Sequence, residues 1–278
     1  MKIVILTDCE GVAGVINWAD YGSPGAMYYE TTKRLTTLET NAAIEGALEA
    51  GATEIMVVDG HGHGALNLEL IHPAATVLTG RPGLKYPFEV DESFDAAMIV
   101  GQHAMSNADG GHLCHTGSFE VEESHLNGRM IGEIGALVFC WSHFGVPLVM
   151  LSGDEAACEE ARDLIPEVET ATVKRGVKRG SAAGMDARTN VTFNSAAIHV
   201  APQHARELIR EAAKRGLQKR DQVSLWKPEP PYERTLQMRA SVDSGRRLLT
   251  YRSNDPIELF NSAPEVEFLD EGAIKCVK

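Results

Sequence analysis

Apolar residues in this chain fall into short unbroken blocks separated by stretches of helical spacing. Residues 3–6, 54–58, 77–79, 96–100 and 147–151 are aliphatic and β-branched runs. Blocks of that length predict strands buried on both faces. Between the first two, residues 28–50 place Leu35, Leu38, Ala42, Ile44, Ala47 and Leu48 on one helical face, and Gly51 stands where a C-terminal cap belongs. Residues 132–144 predict an unusually apolar helix closed by Gly145 and Pro147, Asp154 is placed to cap a further helix over Glu155–Leu164, and residues 202–215 are amphipathic. Strand, helix and strand joined by short connections predict an α/β fold, a mostly parallel sheet with flanking helices. The stretches 15–27, 106–124 and 175–188 read as loops, with Asn127-Gly128 a tight hairpin turn. After the Pro-Glu-Pro-Pro segment at 228–231 the pattern changes. Residues 234–241 and 265–277 alternate like half-exposed strands, the second turning at Asp270-Glu271-Gly272. We therefore expect an α/β domain over residues 1–195 and a smaller α+β C-terminal unit over 196–278.

In open parallel sheets, ligands sit beyond the carboxyl ends of the strands, and several chemistry-bearing residues occupy such positions. The first block ends in Asp8-Cys9-Glu10-Gly11. On an extended chain Asp8 and Glu10 project together while Cys9 points away. Paired carboxylates repel unless a cation lies between them. The alternative is that one of them caps a helix, although Gly11-Val12-Ala13-Gly14 starts a helix poorly. His61, in the turn Gly60-His61-Gly62-His63-Gly64, follows the second block, and His103 follows the block at 96–100. Alone, each reads equally well as a turn or core residue. Together with the carboxylates they form a donor set that suits zinc or another first-row divalent ion, with His63 as a substitute ligand. His72, before Pro73, reads as structural. The long Gly-, Ser- and His-rich loop at 106–124 reads as functional, but one cysteine in His112-Leu113-Cys114-His115 is too few for a zinc knot. Glu133, at the start of the apolar helix, is either a first-turn acid favoured by the helix dipole or a buried metal ligand.

Charge and composition narrow the partners. The net charge is −13 and no basic run exceeds two residues, which argues against nucleic acid. Five cysteines without CxxC spacing fit reduced thiols and a cytoplasmic setting. The apolar run after Lys2 is too short for a signal-peptide core, and no stretch approaches the roughly 18 apolar residues of a membrane span.

With these motifs in place, the sequence resembles the zinc-dependent D-aminopeptidase family, the dipeptide-operon type of metallopeptidase. The resemblance rests on Asp8-x-Glu10-Gly11, Asp59-Gly60-His61, Gly101-Gln102-His103-Ala104, His115 and Asn127-Gly128-x-x-x-Gly132-Glu133-x-Gly135, and extends through Gly153-Asp154. Beyond residue 195 it is weak. The resemblance implies two zinc ions per chain, with Asp8 bridging, Glu10 and His61 completing one site, and His103 and Glu133 the other. His115 falls at the family's proposed catalytic position, open to a role as nucleophile, base or acid. The implied activity is removal of an N-terminal residue, a D-amino acid, from short peptides or aminoacyl amides. The implied assembly is a ring-like homo-oligomer, a decamer in the known type. Two other readings of the same residues remain: another binuclear metallohydrolase, amidase or phosphoesterase, and a non-catalytic metal-dependent peptide-binding subunit.

Overall fold

The computed structural model describes residues 1–80, 83–240 and 245–270. In chain order the elements are β1 (Lys2–Thr7), α1 (Trp18–Tyr21), α2 (Tyr29–Glu49), β2 (Glu54–Asp59), β3 (Ala75–Leu78), β4 (Ala96–Gln102), β5 (Val121–Leu126), β6 (Arg129–Met130), α3 (Glu133–His143) and β7 (Leu148–Asp154). There follow α4 (Glu155–Leu164), β8 (Glu169–Gly176), α5 (Ala187–Phe193), β9 (Ala197–His199), α6 (Pro202–Gln218), β10 (Tyr232–Met238), β11 (Arg247–Ser253), α7 (Pro256–Asn261) and β12 (Glu265–Phe268).

A seven-stranded sheet in the order β3-β2-β1-β4-β7-β8-β9 forms the body, parallel throughout except where β9 runs against β8. β4 and β7 are buried along their whole length, as unbroken apolar runs require. α2 and α6 pack side by side, so closely that a Cβ on Gly46 would stand 2.1 Å from the Arg210 carbonyl oxygen. α3 and α4 form a second contacting pair of helices. Chain order runs outward from β1 through β2 to β3, then returns to the other side of β1 at β4. That reversal creates a crevice at the carboxyl ends of β1, β2 and β4, where doubly wound sheets bind ligands.

A separate antiparallel sheet has the order β12-β11-β10-β5-β6. Asn127 and Gly128 both have positive φ (48° and 79°) in the turn between β5 and β6, the hairpin geometry an Asn-Gly pair favours. Two segments cross the 195/196 boundary expected from sequence: β5 and β6 pair into the antiparallel sheet, and α6 packs on α2. The strand expected over 234–241 lies at Tyr232–Met238, and the one expected over 265–277 is seen at Glu265–Phe268. Residue 241 of the first stretch and residues 271–277 of the second, with most of the turn at Asp270-Glu271-Gly272, lie outside the described residues. Among the described residues no helix is long and apolar enough to cross a membrane.

Candidate metal centre and active site

β1, β2 and β4 deliver their following residues to one point. Asp8 N–H donates to the Val100 carbonyl and Gly11 N–H to the Gly101 carbonyl, so the turn after β1 is tied to the end of β4. The approach is too close for side chains. A Cβ on Gly101, where φ is +75°, would lie 2.3 Å from the Asp8 carbonyl oxygen, and one on Gly11 would lie 2.1 Å from that of Gln102. These two glycines therefore let the Asp8 turn and the His103 turn meet.

The structure brings Asp8, Glu10, His61, His103, His115 and Glu133 together. His61 Nδ1 stands 3.3 Å from Asp8 Oδ1 and 3.4 Å from Glu10 Oε2. His103 Nε2 stands 3.3 Å from Asp8 Oδ2 and 3.4 Å from Glu133 Oε1. Asp8 thus turns one oxygen to each imidazole. His115 Nε2 lies 3.9 Å from Glu133 Oε1, its ring stacked on that of His103 with centroids 3.8 Å apart. All but Glu133 are buried.

Each imidazole is oriented from behind. His61 Nε2–H donates to the Gly22 carbonyl, His103 Nδ1–H to that of Ala104, and His115 Nδ1–H to that of Leu113, each at 2.9 Å. The nitrogen facing the carboxylates is therefore the unprotonated one in each neutral ring, as metal-ligating histidines require. His103 Nε2 is buried and makes no hydrogen bond. Electrostatics agree. Desolvation alone would raise the Asp8 carboxyl, but the facing imidazoles of His103 and His61 hold it well below its usual range, and His103 lowers Glu133 in the same way. His103 is driven above its ordinary value by Glu133 and Asp8 despite burial, and His61 by Glu10 and its other neighbours. Carboxylates that force protons onto facing imidazoles offer a site where a divalent cation can replace those protons. His115 moves the other way, lowered by burial and by the charge on His103. The donor set fits zinc.

Cys9 differs from the sequence expectation. Its sulfur does not point away but lies 3.3 Å from Glu10 Oε2 and 3.4 Å from His61 Nδ1. β1 ends at Thr7 and residues 9–12 close a turn, Val12 N–H donating to the Cys9 carbonyl, so strand alternation no longer governs the side chains. Two groups of possible ligands result: Asp8, Cys9, Glu10 and His61, and His103, His115 and Glu133. His63 is exposed and belongs to neither group, although its ring lies 5.9 Å from that of His61 and it lines the cavity over the cluster.

Supporting residues escaped the sequence analysis. Glu160 on α4 accepts hydrogen bonds from Met105 N–H and Gly132 N–H, both at 3.0 Å, fastening the backbone next to both His103 and Glu133. Asp59 accepts from Ala65 N–H and Leu66 N–H and so shapes the turn that carries His61. Asp154, expected as a helix cap, both caps α4 through Ala157 N–H and accepts from His112 N–H. His112 in turn donates to the Ile16 carbonyl, which makes it a brace for the 12–16 turn. Trp18, in a stretch expected to be loop, lies on the short helix α1 against His61, His115 and Phe119. The contacts of Glu160, His112 and Trp18, and that of Asp154 with His112, join residues far apart in sequence, and nothing local signals them.

A cavity of about 510 Å³ opens over the cluster, lined by Asp8, Glu10, His61, His115 and Glu133 together with Tyr86, Phe88, Arg234 and Phe260. A doubly wound sheet that converges two carboxylate–imidazole groups beneath such a cavity defines a hydrolase-type metal centre. Comparison with known proteins is specific. The D-aminopeptidase family model (peptidase M55) matches residues 1–192. The D-aminopeptidase of Bacillus subtilis (strain 168) is 31% identical over 239 residues, covering 84% of this chain and 79% of that protein. A solved structure described as the zinc-dependent D-aminopeptidase DppA from Bacillus subtilis, a self-compartmentalizing protease, superposes with a TM-score of 0.79. It is 25% identical, over 94% of each chain. The chain belongs to the D-aminopeptidase family.

Proposed function

We propose that this protein is a zinc metallo-aminopeptidase that removes an N-terminal D-residue from short peptides or aminoacyl amides at a binuclear site. One observation carries the reading: the two oxygens of Asp8 face two different imidazoles, His61 and His103, on the floor of one cavity. Asp8 would bridge two ions, with Glu10 and His61 on one and His103 and Glu133 on the other. Bound there, zinc supplies a Lewis acid that polarises the scissile carbonyl and lowers the pKa of water toward neutrality.

The remaining chemistry falls to the chain. His115, held neutral by burial and by its neighbour, keeps Nε2 free to take a proton from the attacking water and return it to the leaving amine. With zinc bound, the same floor would also offer the free α-amine of a peptide a place to bind, which would tie cleavage to the N-terminal residue. The relative described as self-compartmentalizing supports a closed homo-oligomer for this chain too.

The test is a panel of D-alanyl, L-alanyl and N-acetyl-D-alanyl p-nitroanilides with the purified protein. Turnover of the D-alanyl compound, little of the L-isomer and none of the blocked one supports the reading. Equal turnover of the blocked compound would make the enzyme an amidase, and turnover of p-nitrophenyl phosphate alone a phosphoesterase.

A further inference from the structure

We infer that Arg234 anchors the C-terminal carboxylate of the substrate, which makes short peptides with a free C-terminus the preferred class. The inference rests on the peptidase reading above. Arg234 lies on β10, in the antiparallel sheet and beyond the part of the chain that the family model matches. It nevertheless lines the same cavity as Asp8, Glu10 and Glu133.

Its surroundings leave its charge unanswered. The guanidinium stacks on Phe260, 4.4 Å from the ring centroid, and lies 5.3 Å from that of Tyr251. The buried Nε makes no hydrogen bond, and among the described residues no carboxylate comes within ion-pair distance of the group. Among the other arginines of this part of the chain, Arg239 and Arg246 both stand by Glu122 and Arg252 pairs with Glu233 and Glu265, whereas Arg247, also without an ion pair among the described residues, does not line the cavity. A half-buried cation without a counter-ion is costly. The aromatic face holds the planar guanidinium in place but leaves its edge donors free, and that edge matches a carboxylate through two parallel hydrogen bonds. A peptide with its amine at the floor of this cavity would then offer its far end, a carboxylate, to the cation that lines the same cavity. The ligand is short, because a cavity of about 510 Å³ accommodates only a few residues.

The experiment compares D-alanylglycine, its C-terminal amide and D-alanyl p-nitroanilide on the zinc-loaded wild type and on Arg234→Gln, with zinc content measured for both. Wild type should prefer the free acid over the amide by about tenfold or more in kcat/KM. Arg234→Gln should erase that preference, chiefly through KM for the acid, while zinc content and anilide turnover stay within about twofold. Equal use of acid and amide by the wild type would overturn the anchor and needs no variant to show it. So would a variant that loses acid, amide and anilide alike. Wild type that turns over the anilide but shows no acid preference leaves the peptidase reading standing, whereas turnover of none of the three overturns both.

Discussion

His115 lies face to face with His103, the ring planes 16° apart and the centroids separated by 3.8 Å. On its other side it stacks on Phe119, with centroids 4.3 Å apart. An imidazole clamped between a ligand candidate and a phenyl ring, with Nδ1–H fixed to the Leu113 carbonyl, has one orientation and one free nitrogen.

From this clamp we predict that His115→Ala keeps its zinc and its fold but loses turnover by about 10²-fold or more, the scale of a positioned acid–base group. Zinc content and kcat on D-alanyl p-nitroanilide decide it. Loss of zinc would make His115 a third ligand beside His103 and Glu133; loss of neither would leave catalysis to the metals alone.

Asp8→Ala should lower zinc content by more than one ion per chain, because its oxygens face both imidazoles. Glu133→Ala, which touches only the His103 side, should cost one site. Elemental analysis of protein purified without chelator separates the two. A full zinc complement in Asp8→Ala would exclude a bridging role.

Glu160→Ala leaves the N–H groups of Met105 and Gly132 without their acceptor. The expected cost is about 2–4 kcal/mol of stability for two orphaned donors. Zinc affinity should fall about 10–100-fold, the usual consequence of loosening groups that orient ligands. Denaturant unfolding and a competitive zinc titration measure both quantities, and unchanged zinc affinity would show that the ligands do not depend on this brace.

The pattern of buried strands made the floor of the site legible. Asp8, His61 and His103 follow β1, β2 and β4, and their neighbourhood could be inferred because parallel strands align their carboxyl ends. Cys9 was misplaced because alternation stops one residue before Asp8. β8, with sequence Glu-Thr-Ala-Thr-Val-Lys-Arg-Gly, escaped notice because polar residues interrupt it and only some of its positions are buried. Neither its partner β9, three residues long, nor β11, half-exposed, carries a strong pattern. β5 begins inside the stretch 106–124 that reads as loop, because its pairing with β10 joins residues more than a hundred positions apart. Glu160 and Arg234 act across such non-local contacts, so their roles became visible only in three dimensions.

Glu39, buried on α2, accepts a hydrogen bond from Ala13 N–H, and burial raises its carboxyl to about 7 despite that bond and the charge of Lys174. Between pH ~4.5 and ~7 the folded protein therefore holds a proton that the unfolded chain has released. The favourable contribution is complete at lower pH and is lost as pH rises through 7, by roughly 3 kcal/mol at most. Glu39→Gln should flatten this part of the profile. Unfolding midpoints of both proteins at pH 5 and pH 8 test it, and parallel profiles would rule out Glu39 as the titrating group.

The binuclear assignment is tested most directly by titrating chelator-treated protein with zinc while following hydrolysis of D-alanyl p-nitroanilide. Two imidazoles, each facing its own oxygen of Asp8, predict no turnover without metal and a plateau at about two equivalents per chain. Full turnover in metal-free protein, or a plateau at one equivalent, would contradict it.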